Sequence, residues 1–226
     1  MALSDWNIYK VDNNGVASID TTAPLVGAGS LLLSRGTMAG AVEGKENLVS
    51  KGVTYTPVGV LRGALAGTFQ VPASFTLDNA QTQYAGILSL QSAANVVSLG
   101  SFWGLLFGAT AAGGITTLSV RYFSAGLNHA AIPAALWSHT LTPAIALGTL
   151  FTLEFEWAAS AEYGGVRYIV RRGLATNYSD LTPLVDQIDT THGVPSTSLG
   201  EGPCLLNSTN NTVNYQCRID QWRLRA

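Results

Sequence analysis

Glu154 and Glu156 carry the clearest capacity for chemistry in this sequence. They lie in Phe151-Thr-Leu-Glu-Phe-Glu-Trp157, where apolar and polar residues alternate. An alternating run of this kind predicts a half-buried β-strand, in which residues i and i+2 share a face. The two carboxylates then stand about 6–7 Å apart on the polar side. That spacing suits the two-carboxylate chemistry of glycoside hydrolysis. The expected reading is instead a polar sheet face on which Glu156 pairs with Arg167 of the next strand.

Other reactive patterns are sparse. His129, His139 and His192 are far apart and lack the spacing of a zinc site. Asp78-Asn79 and Asp186-x-x-Asp189 place carboxylates near turns, where acids are usually solvated. No cofactor is expected; calcium, whose sites can be assembled from loop carbonyls, is called for by no pattern. Nucleophile-elbow, Walker A and dinucleotide-binding glycine motifs are absent, and Gly27-Ala-Gly29 precedes a strand rather than a helix. Trp103, Trp137, Tyr163 and Tyr178 are candidate platforms for stacking on a sugar. Trp103 lies in an apolar run and reads as core. Trp137 and Tyr163 flank loops, and are the binding residues expected for sugar or subunit contact.

The elements that must position these groups are strands. Candidates are Ser30–Arg35, Gly63–Val71, Ser74–Asp78, Gly86–Gln91, Phe102–Phe107, Thr117–Ser124, Leu150–Trp157, Val166–Arg172, Leu184–Ile188 and Tyr215–Arg225. Asn14-Gly15, flanked by Trp6–Asp12 and Val16–Asp20, predicts an N-terminal hairpin with a type I′ turn. Thr37 to Lys51 reads as a loop, and Ala130–Leu136 as a helical turn limited by Pro133. Val166, Tyr168 and Val170 share one parity. Pairing Trp157 with Val166 and Phe155 with Tyr168 sets Glu156 opposite Arg167. In the last strand Tyr215, Cys217 and Ile219 have one parity and Trp222 and Leu224 the other, so a bulge near Asp220-Gln221 is expected to turn both sets inward. Cys204 and Cys217 flank the polar cluster Asn207-Ser-Thr-Asn-Asn211; a hairpin there would bring the sulfurs together, but two reduced thiols are expected.

Composition bounds the rest. The chain has 226 residues, and 12% are charged, against roughly 25% in average domains. A net charge of −2 offers no basic excess for phosphates, so no nucleic-acid partner is expected. The glycines within Val96 to Ile115 speak against a membrane span, and Met1–Trp6 shows no secretory signal.

The order of Gly29-Ser-Leu-Leu-Leu-Ser34, Tyr84-Ala-Gly-Ile-Leu-Ser-Leu-Gln91, Gly148-Thr-Leu-Phe-Thr-Leu-Glu-Phe-Glu-Trp157, Val166-Arg-Tyr-Ile-Val-Arg-Arg-Gly173 and Cys217-Arg-Ile-Asp-Gln-Trp-Arg-Leu-Arg225 resembles the concanavalin A-like, laminin-G-like jelly roll. The resemblance implies an all-β, two-sheet antiparallel sandwich over residues 25–226, with residues 1–24 as an N-terminal hairpin or arm. Glycosidases of this superfamily resemble Glu-x-Asp-x-(x)-Glu on one strand. Here Ala158 and Ala159 follow Glu156, so the third acid is missing and no catalytic residue is assigned. The low charge and the overall look are similar to small virion proteins of tailed bacteriophages. The expected role is therefore a non-enzymatic capsid decoration or tail-associated protein. It would be made in the host cytoplasm, reside in the virion, and act through homo-oligomer and virion-protein contacts. A carbohydrate-binding module or lectin-like adhesin taking a surface glycan is the alternative, and a glycosidase or lyase the second alternative.

Overall fold

The computed structural model describes residues 7–10, 15–35, 47–53, 61–73, 82–89, 101–110, 113–124, 133–160, 162–174, 176–192, 199–207 and 215–225. These form two seven-stranded antiparallel sheets. The first runs β1 (Asn7–Lys10), β4 (Asn47–Val53), β13 (Leu199–Asn207), β6 (Gln83–Ser89), β7 (Phe102–Thr110), β8 (Gly114–Phe123), β9 (Ala135–Ile145). The second runs β12 (Thr182–Asp189), β11 (Gly165–Gly173), β10 (Phe151–Ser160), β5 (Leu61–Gln70), β14 (Tyr215–Arg225), β3 (Ser30–Arg35), β2 (Gly15–Asp20). This is the all-β sandwich expected from the period-two patterning.

The inner faces close on each other through large side chains. Phe69 and Phe151 are cross-strand partners in the second sheet, and Phe107 of the first sheet meets both edge-on, with ring centroids 5.6 and 5.1 Å away. Phe155, Trp157 and Tyr168 point inward and are buried, as their parity requires. Burial of such apolar area supplies most of the folding free energy, about 25 cal/mol per Å². The bulge in β14 falls between Asp220 and Arg223, where Gln221 takes φ +49°. It is held by Asp220, whose carboxylate accepts from Ser30 Oγ (2.8 Å), Val26 N (3.0 Å) and Gln221 N (2.7 Å). Beyond it Trp222 packs inward over Gly67, where a Cβ would stand only 3.0 Å from the indole.

Several expectations need correction. The segments either side of Asn14-Gly15 do not pair as a hairpin: β1 joins β4 and β2 joins β3, in different sheets. A lone two-stranded ribbon is marginal, whereas β2 packs Ala17 and Ile19 against the core. The β10–β11 register is offset by two residues from expectation. Trp157 faces Tyr168, Phe155 faces Val170, and Glu156 faces Ile169 rather than Arg167. The turn is tighter than Ala158–Gly165, since Ser160 already pairs with Gly165. The last five residues of the region read as a loop, 47–51, belong to β4, and the end of the predicted helical turn, Ala135-Leu136, belongs to β9. The hairpin that would bring Cys204 and Cys217 together is not formed: they are buried in opposite sheets on β13 and β14 and, as expected, are not joined in a disulfide. The strand expected over Ser74–Asp78 lies outside the described residues.

Candidate functional site

The alternation of β10 sends Thr152, Glu154, Glu156 and Ala158 to the outer face of the second sheet. In β5 the sequence Arg62-Gly-Ala-Leu-Ala-Gly-Thr68 sends Leu65 inward and Arg62, Ala64, Ala66 and Thr68 outward. Registers across β14, β5, β10 and β11 then lay out rows on this face. One row reads Arg223, Ala66, Glu154, Arg171; the next has Ala64, Glu156 and Ile169; the one after has Arg62, Ala158 and Arg167. The two alanines leave a hollow beside the two glutamates.

Arg171 unites the acids. Its Nη1 donates to Glu154 Oε1 at 2.7 Å and also to Glu156 Oε2. The Glu154 side chain is 9% exposed and that of Glu156 38%, so the first contact is sheltered and the second is open to water. Burial works against the Arg171 charge, but hydrogen bonds to Glu156 and Glu154 outweigh it and hold the guanidinium above its ordinary range. Arg167, the partner expected for Glu156, binds Asp186 instead, with Nε 2.8 Å from Oδ1. That contact raises Arg167 and holds Asp186 below its ordinary value.

A segment between β11 and β12, residues 176–181, folds over the same face. Asn177 accepts from Ser179 N (3.1 Å) and starts the 3-10 turn Tyr178–Asp180. The segment rests on Gly173, where a Cβ would lie 3.2 Å from Leu181 Cδ2. At its other side the Tyr178 hydroxyl donates to the Gln221 carbonyl in the β14 bulge. The Arg223 guanidinium lies 4.1 Å above the Tyr178 ring, a cation–π distance. Burial lifts the phenol above its ordinary value, a shift that a Thr68 hydrogen bond and the Arg223 charge oppose. Among the described residues Arg223 has no carboxylate partner.

Ala64, Ala66, Glu154, Glu156, Arg171, Tyr178, Leu181 and Arg223 line a depression of about 480 Å³. A second one, about 490 Å³, is walled by Pro24, Leu25, Pro72, Ala73 and Leu150. Its arginine, Arg218, is committed to Asp20 at 2.7 Å. The first has donors and acceptors around a methyl-lined floor, which suits a polyhydroxylated ring. Among the described residues no group of three or more His, Cys, Asp or Glu side chains converges as a metal site would require. The outward position after Glu156 is Ala158, so β10 supplies no third acid.

Of the four aromatic candidates, only Tyr178 reaches this depression. Trp137 lies on edge strand β9, half-buried against the core rim and stacked beside His139 with centroids 6.0 Å apart. Tyr163 lies in the β10–β11 turn. The two are on different sheets, and neither lines the hollow. Trp103 is core, and its Nε1 donates to Asp189 Oδ2 (3.2 Å), which also holds His192 Nδ1 (2.7 Å). This group braces the first sheet against the end of β12. Arg171, Arg223 and Leu181 were not singled out from sequence; they come from three separate segments whose spacing carries no local signal.

The fold is that of the concanavalin A-like jelly rolls. No protein-family model matches the chain and no curated protein matches it. Among solved structures, the alginate lyase Aly36B is 12% identical with TM-score 0.56, covering 89% of this chain and 82% of the lyase. The endo-β-1,4-glucuronan lyase from the fungus Trichoderma reesei is 9% identical with TM-score 0.55, covering 99% and 92%. The lectin from Bauhinia forficata, in complex with GalNAc, is 8% identical with TM-score 0.54, covering 99% and 93%.

Proposed function

We propose that the protein binds carbohydrate in the depression on the outer face of the second sheet, and that the ligand carries carboxylate groups. The observation that carries this reading is the division of charge. Glu154 and Glu156 are committed to Arg171, while Arg223 faces the hollow with no carboxylate partner among the described residues. A sugar seated on Ala64 and Ala66 finds acceptors for its hydroxyls in the glutamates and a guanidinium for its carboxylate. Structural neighbours that act on alginate and glucuronan, and one that binds GalNAc, support the general class.

Wild-type protein and Arg223→Ala are to be measured on a glycan panel holding uronate polymers and neutral polymers. The expected result is saturable binding to uronates, weakened about 10- to 100-fold by the substitution, since a charge-assisted hydrogen bond contributes about 1.5–3 kcal/mol. Failure to bind any glycan, or equal binding by the variant, refutes the reading. One observation favours a catalytic variant of it: the Tyr178 phenol, kept in its protonated form by burial, lines the same hollow as Arg171 and Arg223. Ultraviolet absorbance of an unsaturated uronate product tests that directly. The virion role expected from composition rests on low charge and resemblance alone, and the geometry adds nothing to it.

A further inference from the structure

We propose that this depression takes the end of a glycan chain and excludes internal stretches; the proposal rests on the binding role above and adds the mode of engagement. Among the described residues the hollow is walled on three sides. Arg171 stands on β11 and Arg223 on β14, in one row separated by three strand spacings, about 14 Å. The third wall is the 176–181 segment. It is anchored over Gly173 at the β11 side and through the Tyr178 hydroxyl to Gln221 at the β14 side. It therefore spans β10 and β5 above Thr68 and closes the face in the direction of the strands. A chain running along the strands meets Tyr178 and Leu181; a chain running across them meets a guanidinium at either end of the row. Among the described residues the remaining side opens toward Ala158, where Arg62 is exposed. A volume near 480 Å³ sits at the small-ligand end of binding cavities, enough for a terminal unit or two.

Alginate oligomers of graded length, titrated calorimetrically into the wild-type protein, test the idea. The expected result is one protein bound per chain at every length, with affinity constant once the chain exceeds the walled volume. Protein bound per chain rising in proportion to length overturns end recognition while leaving the binding role intact. No binding at any length overturns both. In Tyr178→Ala the third wall is removed, and long chains are expected to hold several proteins each while short ones still hold one. Tyr178→Phe keeps the ring under the Arg223 guanidinium, 4.1 Å away, and loses only the hydroxyl tether to Gln221; long chains are expected to hold fewer proteins on this variant than on Tyr178→Ala, and the reverse order counts against the proposal.

Discussion

Replacing Arg171 by Met probes the charge arrangement on which the site depends. The substitution keeps much of the side-chain volume and removes both contacts from Nη1. The Glu154 contact is sheltered, and hydrogen bonds to charged groups contribute about 1.5–3 kcal/mol. The Glu156 contact is more than a third exposed, so solvent screening cuts it to about 0.5 kcal/mol. The sum is a loss of about 2–3.5 kcal/mol. For a domain of this length that corresponds to a fall in Tm of about 4–14 °C. Urea unfolding of the wild type, Arg171→Met, Glu154→Gln and the double variant gives the Arg171–Glu154 coupling free of other effects. A coupling of about 1.5–2 kcal/mol is expected. Additivity within 0.5 kcal/mol would refute the claim that Arg171 is what holds Glu154 in place.

Gln83 is buried, and among the described residues both its side-chain polar atoms lack a partner, so Gln83→Met is expected to stabilise by about 1–2 kcal/mol in the same urea assay; a loss of stability contradicts this. Gly67→Ala places a methyl against Trp222 and Phe69 and should cost about 1–3 kcal/mol, whereas Ala64→Ser on the outer face should leave Tm nearly unchanged. Asp20 is held below its ordinary value of 3.8, chiefly by the Ala23 backbone N–H and then by Arg218. A carboxylate depressed in the folded state contributes stability that is complete above its unfolded value and is lost as pH falls through its folded value. Thermal melts below pH 4 should therefore lose stability more steeply in the wild type than in Asp20→Asn; equal slopes would refute this. Uronate binding should weaken as salt rises from low to physiological concentration, because Arg223 is exposed to screening, and a salt-independent affinity would argue against charge recognition.

Alternation in Phe151–Trp157 and Val166–Val170 made the buried faces of β10 and β11 legible, and the parity change around Asp220 made the bulge legible. The register was not, because a period of two fixes which face a side chain takes but leaves shifts of two residues open. That ambiguity moved the acids' partner from Arg167 to Arg171. Edge strand β9 escaped notice because only Leu141 and Ile145 along it are buried, so it carries little alternation. The glutamates of the site were visible as an i, i+2 pair. The hollow was signalled faintly by Ala64 and Ala66 alternating with Leu65, small residues on an outward face. Its walls depend on a loop that crosses to a distant strand, and Tyr178 was readable only as an aromatic near a turn.

The structure of the protein with a bound alginate trisaccharide tests the central claim most directly. Sugar seated over Ala64 and Ala66, with a carboxylate on Arg223 and hydroxyls on Glu154 or Glu156, is the predicted result. Sugar held instead beside Trp137 or Tyr163, with the hollow between β14 and β11 empty, would contradict it.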